Sequence, residues 1–255
     1  MYNVNRKGFN MDIIHLNKPP IKEVIIGISA KNLFTSSKEI FDFYDRSSLN
    51  EKYSLKEEYL PMHIEISEEP KIVSDTSSCV RVATDNEALF LESNKLMFAD
   101  KSKYKNFDTF LKKYLSIMSD VVEYAKRPID IDDIGLRYVN KFPCPMDKLG
   151  STFLMFPAIH LNEDNNHFAS MNYHLMMSSI TSTENPNISA SVKVLFHILD
   201  DKNLDITFDI DTHLNGHYNM NRIDDFKLLV SQLQNFKNKI FFSNFANEEA
   251  MKGFQ

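Results

Sequence analysis

The chain has no tryptophan, few glycines and few cysteines, and these shortages argue against several kinds of site. Only six of its 255 residues are glycine, and it has no GxGxxG or GxxxxGKS/T motif, so the glycine-rich loops that cradle phosphates are nearly excluded. The two cysteines, Cys79 and Cys144, lie far apart and form no CxxC pair. A disulfide scaffold or a zinc knuckle is therefore not expected.

Long apolar runs and concentrated positive charge are missing as well. No run approaches the roughly 18 apolar residues of a membrane span, and residues 1–20 lack an apolar signal-peptide core. The net charge is −6 with basic residues spread along the chain. This disfavours nucleic acid, because binding the phosphate backbone requires a concentrated positive surface. We expect a cytoplasmic protein with reduced thiols and no membrane contact.

The remaining composition is that of a folded protein, with 43% apolar and 25% charged residues. The first ten residues are polar, and Met11 opens a second natural start. We therefore expect residues 1–18 to be an N-terminal extension that is disordered or wrongly assigned to the protein. Residues 19–128 and 129–255 are expected to form two α+β halves that pack as one globular unit.

In the first half, residues 21–30 are β-branched and predict a strand. Ser36 or Ser37 is placed to cap a short helix that ends at Arg46. Several short strand-like runs separated by turns follow and predict an antiparallel meander. Apolar residues at three- and four-residue spacing then predict a long helix over residues 107–126, which Pro128 ends.

The second half repeats this order. Strands are predicted at residues 134–142, 171–181, 189–199 and 204–214, with a short helix within 146–156 and a long helix over 223–245. We therefore predict an α+β fold of two similar halves, each an antiparallel sheet covered by one long helix. The sheets are either separate or joined.

Four segments resemble a sporadically distributed family of uncharacterised bacterial proteins of about this length. They are Pro-Pro-Ile-Lys-Glu-Val at 19–24, Gly-Leu-Arg-Tyr-Val-Asn at 135–140, Asp-Ile-Asp at 209–211 and the Phe-rich residues 237–245. The resemblance implies the same architecture over residues 11–245. The patchy distribution of the family implies horizontal transfer, and so a link to bacterial defence or mobile elements.

The strand at 135–140 carries candidate ligand-binding residues: Arg137, Tyr138 and Asn140. Arg137 alternates with its apolar neighbours and so projects from the opposite sheet face. A buried arginine requires a carboxylate, and Glu23 on the first strand is the expected partner. Arg137 and Glu23 are interpreted as a structural brace between strands, with anion or carboxylate binding as the alternative.

Residues 209–217 contain the metal-ligand candidates. Asp209, Asp211 and His213 fall on one face of a strand, and a bend at Asn215 and Gly216 could return His217 towards His213. Alternate residues on a strand lie about 6.5–7 Å apart, which is long for ligands of one ion. A solvated polar strand face is the simpler interpretation; the alternative is a divalent Mn, Fe or Zn site.

The Phe-rich end of the last helix, residues 236–245, is apolar on all sides. Part of it should pack against the sheet or a second chain, which predicts a partner protein or a homo-oligomer such as a dimer. We expect a non-catalytic binding or sensor protein without a cofactor. The alternatives are a metal-dependent hydrolase centred on residues 209–217 and a small-ligand binder with a cleft near Arg137.

Overall fold

The computed structural model describes residues 20–31, 33–53, 55–59, 62–65, 71–74, 79–101, 104–148, 173–200, 202–220 and 223–243. The N-terminal extension expected at residues 1–18 lies outside these ranges, as does most of the short helix expected within 146–156. Of that helix, a single 3₁₀ turn at Met146–Lys148 is described.

The described elements are eleven strands and four α-helices. The strands are β1 Ile21–Lys31, β2 Leu55–Tyr59, β3 Met62–Glu65, β4 Lys71–Ser74, β5 Cys79–Ala83, β6 Glu87–Leu91, β7 Lys95–Asp100, β8 Ile129–Pro145, β9 Tyr173–Thr181, β10 Ile188–Ile198 and β11 Asn203–Met220. The helices are α1 Ser37–Arg46, α2 Leu49–Lys52, α3 Phe107–Ala125 and α4 Ile223–Ser243.

One antiparallel sheet of nine strands runs through both parts of the sequence, in the order β2-β5-β6-β7-β1-β8-β11-β10-β9. β3 and β4 pair separately as a hairpin. The predicted α+β class with a large antiparallel sheet is therefore confirmed. Of the two arrangements that the sequence allowed, the joined sheet is observed, with β1 and β8 as adjacent central strands.

The helices α1 and α3 form where the sequence predicts them, because both cap residues and apolar spacing favour helix, whereas the short α2 was not predicted. Ser36 caps α1 by accepting a hydrogen bond from the backbone N–H of Glu39. Asn106 caps α3 in the same way, accepting from Thr109 N at 2.8 Å. Lys126 ends α3 in a left-handed conformation with a φ of 52°.

The described helices pack on one face of the sheet. The buried stripe of α3 and the first half of α4 lie on alternate residues of β1 and β8 in one large apolar cluster. The end of α4 packs on β10 and β11 in a second cluster. Burial of these apolar faces is the main contribution that holds helices to sheet.

The remaining alternate positions of the strands point to the opposite side, which we call the open face; it includes Ile25, Met97, Arg137, Asp209 and His213. Its residues around β5, β6 and β7 are mostly apolar, including three buried alanines with Ile25 and Phe90 packed against them. Its residues on β8 and β11 are mostly charged. The open face therefore has an apolar part and a charged part, side by side.

β8 and β11 are both longer than predicted. β8 begins at Ile129 because Ile129 and Ile131 are buried while Asp130 and Asp132 point away from the core. This is the alternation of a strand, and it extends the predicted strand by five residues at its start. β11 continues past a register shift between Asn215 and Tyr218 to Met220, so the expected bend is a β-bulge within one strand.

Candidate functional site

An ion pair between Arg137 on β8 and Asp209 on β11 occupies the charged part of the open face. The Arg137 Nε donates to Asp209 Oδ1 at 2.8 Å and its Nη2 donates to Oδ2 at 2.7 Å. The side chain of Arg137 is 39% exposed and that of Asp209 is 12% exposed. The hydrogen bonds to Asp209 raise the pKa of Arg137. The pair is a two-pronged, charge-assisted contact that fixes the guanidinium plane.

The carboxylate that binds Arg137 is therefore Asp209, whereas the sequence predicted Glu23. Val139 pairs with Glu23 on one side and with Asp209 on the other, so both carboxylates lie diagonally to Arg137. Glu23 instead lies 3.6 Å from the Nζ of Lys101. Its charge adds only the smallest contribution to the raised pKa of Arg137.

The structure also separates Arg137 from the two candidates that follow it. Tyr138 and Asn140 point to the helix side, where both are buried. Asn140 Nδ2 donates to the carbonyl of Phe208 at 3.0 Å, which ties β8 to β11. The four ligand-binding candidates, Glu23, Arg137, Tyr138 and Asn140, therefore do not line one pocket.

His213, one of the metal-ligand candidates, is held between two carboxylates. Its Nδ1 lies 3.1 Å from Asp133 Oδ2 and its Nε2 lies 3.3 Å from Asp211 Oδ1. The hydrogen bonds to Asp133 and Asp211 raise the pKa of His213 to about 10, and the bond to Asp133 contributes more. A histidine that donates from both nitrogens is an imidazolium and offers no lone pair to a metal ion.

The other metal-ligand candidates have partners of their own. Asp209 binds Arg137, and His217 Nδ1 lies 2.9 Å from Asp132. Among the residues that the structure describes, no group of three or more His, Cys, Asp or Glu side chains is placed to hold a metal ion. The predicted polar face of the strand is present, and its charged side chains form ion pairs with neighbouring side chains.

Pattern analysis missed a buried lysine on the helix side of β8. Lys237 of α4 is 7% exposed, and its Nζ lies 4.0 Å from the ring centre of Tyr138. Burial lowers its pKa to about 7. The sequence does indicate that this lysine is buried, because Lys237 falls four residues after Leu233 and three before Ile240, on the buried stripe of the helix.

Tyr138, whose ring Lys237 contacts, is joined by hydrogen bonds to Tyr104 and to Gln234. The Tyr138 and Tyr104 hydroxyls lie 3.2 Å apart. Burial raises the pKa of Tyr104 to about 12 and that of Tyr138 well above its ordinary range. Gln234, one helical turn before Lys237, has a buried Oε1 without a hydrogen-bond partner among the described residues. This set is called the Lys237 cluster: Lys237, Gln234, Tyr138 and Tyr104.

A cleft of about 120 Å³ lies at the start of α3 and shares Tyr104 with the Lys237 cluster. In its wall the Nζ of Lys113 lies 2.6 Å from Asp100 and 2.8 Å from Glu87. The lining residues are Asp100, Tyr104, Lys105, Asn106, Thr109, Phe110 and Lys113. Lys113 and its two carboxylates thus form a paired network that joins α3 to β6 and β7.

The Phe-rich end of α4 packs on its own sheet where the structure describes it. Ile240 and Phe241 are buried in the second apolar cluster, with Phe236 and Phe242 packed against it. The rings of Phe241 and Phe208 stack with centres 5.8 Å apart. The sequence allowed either the sheet or a second chain to cover these residues, and the sheet covers them. Phe245 lies outside the described residues.

The chain matches no protein-family model and no curated protein. Within the described residues, no helix has both the length and the apolar character needed to cross a membrane.

Proposed function

We propose that this is a non-catalytic binding or sensor protein that recognises a partner protein with the open face of its sheet. The observation that carries the proposal is the Arg137–Asp209 pair, whose arginine is 39% exposed, together with the partly exposed apolar side chains Ile25, opposite Arg137, and Met97 on the same face. An apolar centre next to oriented charges is the usual composition of a protein interface. Charged pairs of this kind contribute chiefly to the specificity and orientation of a complex.

An exposed methionine on the same face supports the proposal. Met177 pairs with Lys193, and Lys193 pairs with Asp209, so the three side chains form one row across β9, β10 and β11. Met177 is 65% exposed. A flexible, polarisable methionine at the edge of a charged surface is suited to contact a partner of imperfect shape.

We further propose that the two parts of the chain, residues 19–128 and 129–255, arose by duplication. The support is a row of residues that lie opposite one another on neighbouring strands across the sheet. The centre of this row is a glycine pair, Gly27 opposite Gly135. Met97 is opposite Gly27, and His213 is opposite Gly135. The row continues outward through corresponding strands; its members are Glu57, Arg81, Phe90, Met97, Gly27, Gly135, His213, Ser189 and Thr181.

The resemblance to a sporadic bacterial family adds a biological setting. We propose that the partner is encoded close to this gene, in a defence or mobile-element locus, and that both proteins act in the cytoplasm. Cell fractionation and copurification of the neighbouring gene product test these two points. Light scattering of the purified chain tests the remaining proposal, a homo-oligomer through α4, which a clean monomer would contradict.

The proposed interface is tested with a neutral pair, Arg137→Gln with Asp209→Asn, which removes both charges and keeps a polar amide at each position. Lys239→Gln with Glu184→Gln is the matched control, because Lys239 and Glu184 form an exposed pair at 2.6 Å away from the open face. The tagged proteins are coexpressed with the neighbouring gene product. We expect the first variant to retain less than a tenth of the partner, and the control to retain it fully.

Three results would point elsewhere. Equal retention of the partner by both folded variants would exclude the Arg137 region from the interface. Stoichiometric metal in the purified protein, with a melting temperature that falls on chelation, would favour the metal-dependent hydrolase at residues 209–217. A bound small molecule near Arg137 would favour the ligand binder.

A further inference from the structure

The sequence contains a single Asn-Gly step, Asn215–Gly216, and the fold places it at the β-bulge of β11. The register of β11 against β8 shifts between Asn215 and Tyr218. Two residues, Gly216 and His217, there oppose the single residue Asp132. A bulge of this kind interrupts the ladder of hydrogen bonds between two strands. The peptide that joins Asn215 to Gly216 therefore lies at the point where the regular ladder stops.

The fold itself requires a glycine after Asn215. A Cβ added to Gly216 would lie 2.7 Å from the Tyr218 hydroxyl oxygen and 2.9 Å from Cζ of the same ring, which is too close for any side chain. The Tyr218 hydroxyl in turn donates to the carbonyl of Asn215 at 3.4 Å. Because glycine has no Cβ, it leaves its own peptide nitrogen open to the preceding side chain.

The side chain of Asn215 is exposed to water. Hydrogen bonds hold its backbone, since its N–H donates to the carbonyl of Asn187 at 3.0 Å and its carbonyl accepts from Tyr218. Among the described residues, no hydrogen bond holds its carboxamide. The exposed amide of Asn203, in contrast, donates to both carboxylate oxygens of Asp200 at 3.1 Å. The Asn215 carboxamide can therefore turn towards the next peptide nitrogen.

We propose that Asn215 is a modification site that deamidates to aspartate and isoaspartate in the folded chain. The Gly216 nitrogen attacks Cγ of Asn215, the new N–Cγ bond closes a succinimide ring, and the side-chain nitrogen leaves. The proton that Gly216 loses is carried away on the departing ammonia. Water then adds to either ring carbonyl and breaks its bond to nitrogen, which yields aspartate or isoaspartate. Water is the only reagent, and nothing is oxidised or reduced.

The product changes the charge of the open face next to His213. Asn215 lies opposite Asp133, and side chains directly opposite one another on antiparallel strands have Cβ atoms about 4.5–5.5 Å apart. A carboxylate at position 215 therefore adds a negative charge beside Asp133, which already lies 3.1 Å from His213 Nδ1. Isoaspartate also lengthens the backbone by one carbon, at a point where the register of β11 already shifts.

The test follows the reaction on the folded full-length chain in water labelled with ¹⁸O. Each succinimide that opens takes up one labelled oxygen, so conversion during the incubation is distinguished from earlier conversion. The chain is then digested at low pH in ordinary water for mass spectrometry, and isoaspartyl methyltransferase measures isoaspartate. We expect the label on Asn215, with isoaspartate present. The labelled fraction should rise severalfold from pH 6 to pH 8, because the Gly216 nitrogen attacks after losing its proton.

Asn187 is the internal control, because it is exposed like Asn215 but precedes the β-branched Ile188, which crowds its peptide nitrogen. We expect no label on Asn187. Asn215→Gln should abolish the label at this position, since the longer side chain closes a less favourable ring. Gly216→Ala with Tyr218→Ala, which removes the ring that an added methyl would strike, should slow labelling severalfold. Circular dichroism and a cooperative melting transition establish that each variant is folded.

Two outcomes would overturn the proposal. Label that reaches Asn215 only in urea would show that the fold prevents the reaction. Equal label on Asn187 and Asn215 in the folded chain would show that the bulge and its glycine contribute nothing. Neither outcome depends on a partner protein, so failure of this proposal leaves the interface proposed for the open face untouched, and the reverse is also true.

Discussion

The Nζ of Lys237 lies 4.0 Å from the centre of the Tyr138 ring, on the side of β8 opposite to Arg137. Arg137 and Tyr138 are consecutive residues, yet the partly exposed Arg137 joins an ion pair with Asp209 and Tyr138 lies against a buried amine. A strand places neighbours on opposite faces. β8 thus separates the candidate interface from the Lys237 cluster by the thickness of one sheet.

Replacing Lys237 by methionine should stabilise the protein. Methionine has a similar length and lacks the charge, so the desolvation cost of the amine disappears while the packing remains. We expect the free energy of unfolding to rise by about 2 kcal/mol at pH 7, measured by urea denaturation. Lys239→Met is the control and should change it by less than about 1 kcal/mol, because that ion pair is exposed.

The gain from Lys237→Met should depend on pH in one direction. The pKa of Lys237 is about 7 in the folded chain, against an ordinary 10.5, so between these values the unfolded chain binds the extra proton. The stability of the wild type therefore rises with pH over this window. The advantage of the variant should be largest below pH 7 and vanish above about pH 10.5. A constant difference would show that Lys237 is not the titrating group.

His213 should give the opposite dependence. Its pKa is raised from 6.5 to about 10, so its stabilising contribution is complete below pH 6.5 and is lost as the pH rises through about 10. His213→Gln should cost about 1 kcal/mol at pH 6, a modest value because the side chain is 39% exposed. The cost should shrink towards pH 10.

His217→Gln is the control for that series. The His217 side chain is 84% exposed, and its ion pair should contribute less than about 0.5 kcal/mol at any pH. Urea denaturation at pH 6, 8 and 10 measures all three proteins. A His213→Gln cost that grows with pH would contradict the assigned protonation.

Sequence patterns predicted the elements better than they predicted the contacts between them. The Ser36 cap and the start of α3 follow from local hydrogen bonding and apolar spacing. The partner of Arg137 does not follow from such local signals, because Glu23 and Asp209 are equally plausible until the register of both neighbouring strands is known. Register is a property of the assembled sheet.

Lys237 shows a second limit of pattern analysis. Hydrophobic periodicity identifies the buried stripe of α4 from its apolar residues, and a lysine on that stripe is read as an interruption. Long lysine side chains usually extend to solvent, so burial of Lys237 is the exception that only the packed structure displays. Departures of this kind are expected where function and stability compete.

The Arg137–Asp209 pair should show strong coupling in a double-mutant cycle. Arg137→Ala leaves the mostly buried Asp209 carboxylate without its partner and should lower the free energy of unfolding by about 2 kcal/mol. The double variant with Asp209→Ala should be more stable than the sum of the two single changes predicts, with a coupling of about 1–3 kcal/mol. Additive effects would mean that the pair contributes nothing beyond its separate members.

The two central glycines should differ sharply when each is replaced by alanine. A Cβ on Gly27 would lie 2.8 Å from Met97 Cγ and 3.2 Å from the Leu96 carbonyl oxygen, whereas a Cβ on Gly135 would lie 3.5 Å from its nearest neighbour, His213 Cε1. Gly27→Ala should therefore cost about 1–3 kcal/mol of unfolding free energy through overpacking. Gly135→Ala should be neutral or gain about 0.5 kcal/mol, because alanine restricts the unfolded chain.

A second change separates overpacking from loss of backbone freedom at Gly27. Met97→Ala removes the side chain that an added methyl would strike, so the double variant with Gly27→Ala should recover part of the lost stability relative to Met97→Ala alone. The Leu96 carbonyl cannot move in the same way because it belongs to the ladder between β1 and β7, and recovery should be incomplete. Thermal and urea denaturation of the four proteins measure the effect. No recovery at all would place the cost in the backbone, not in the contact with Met97.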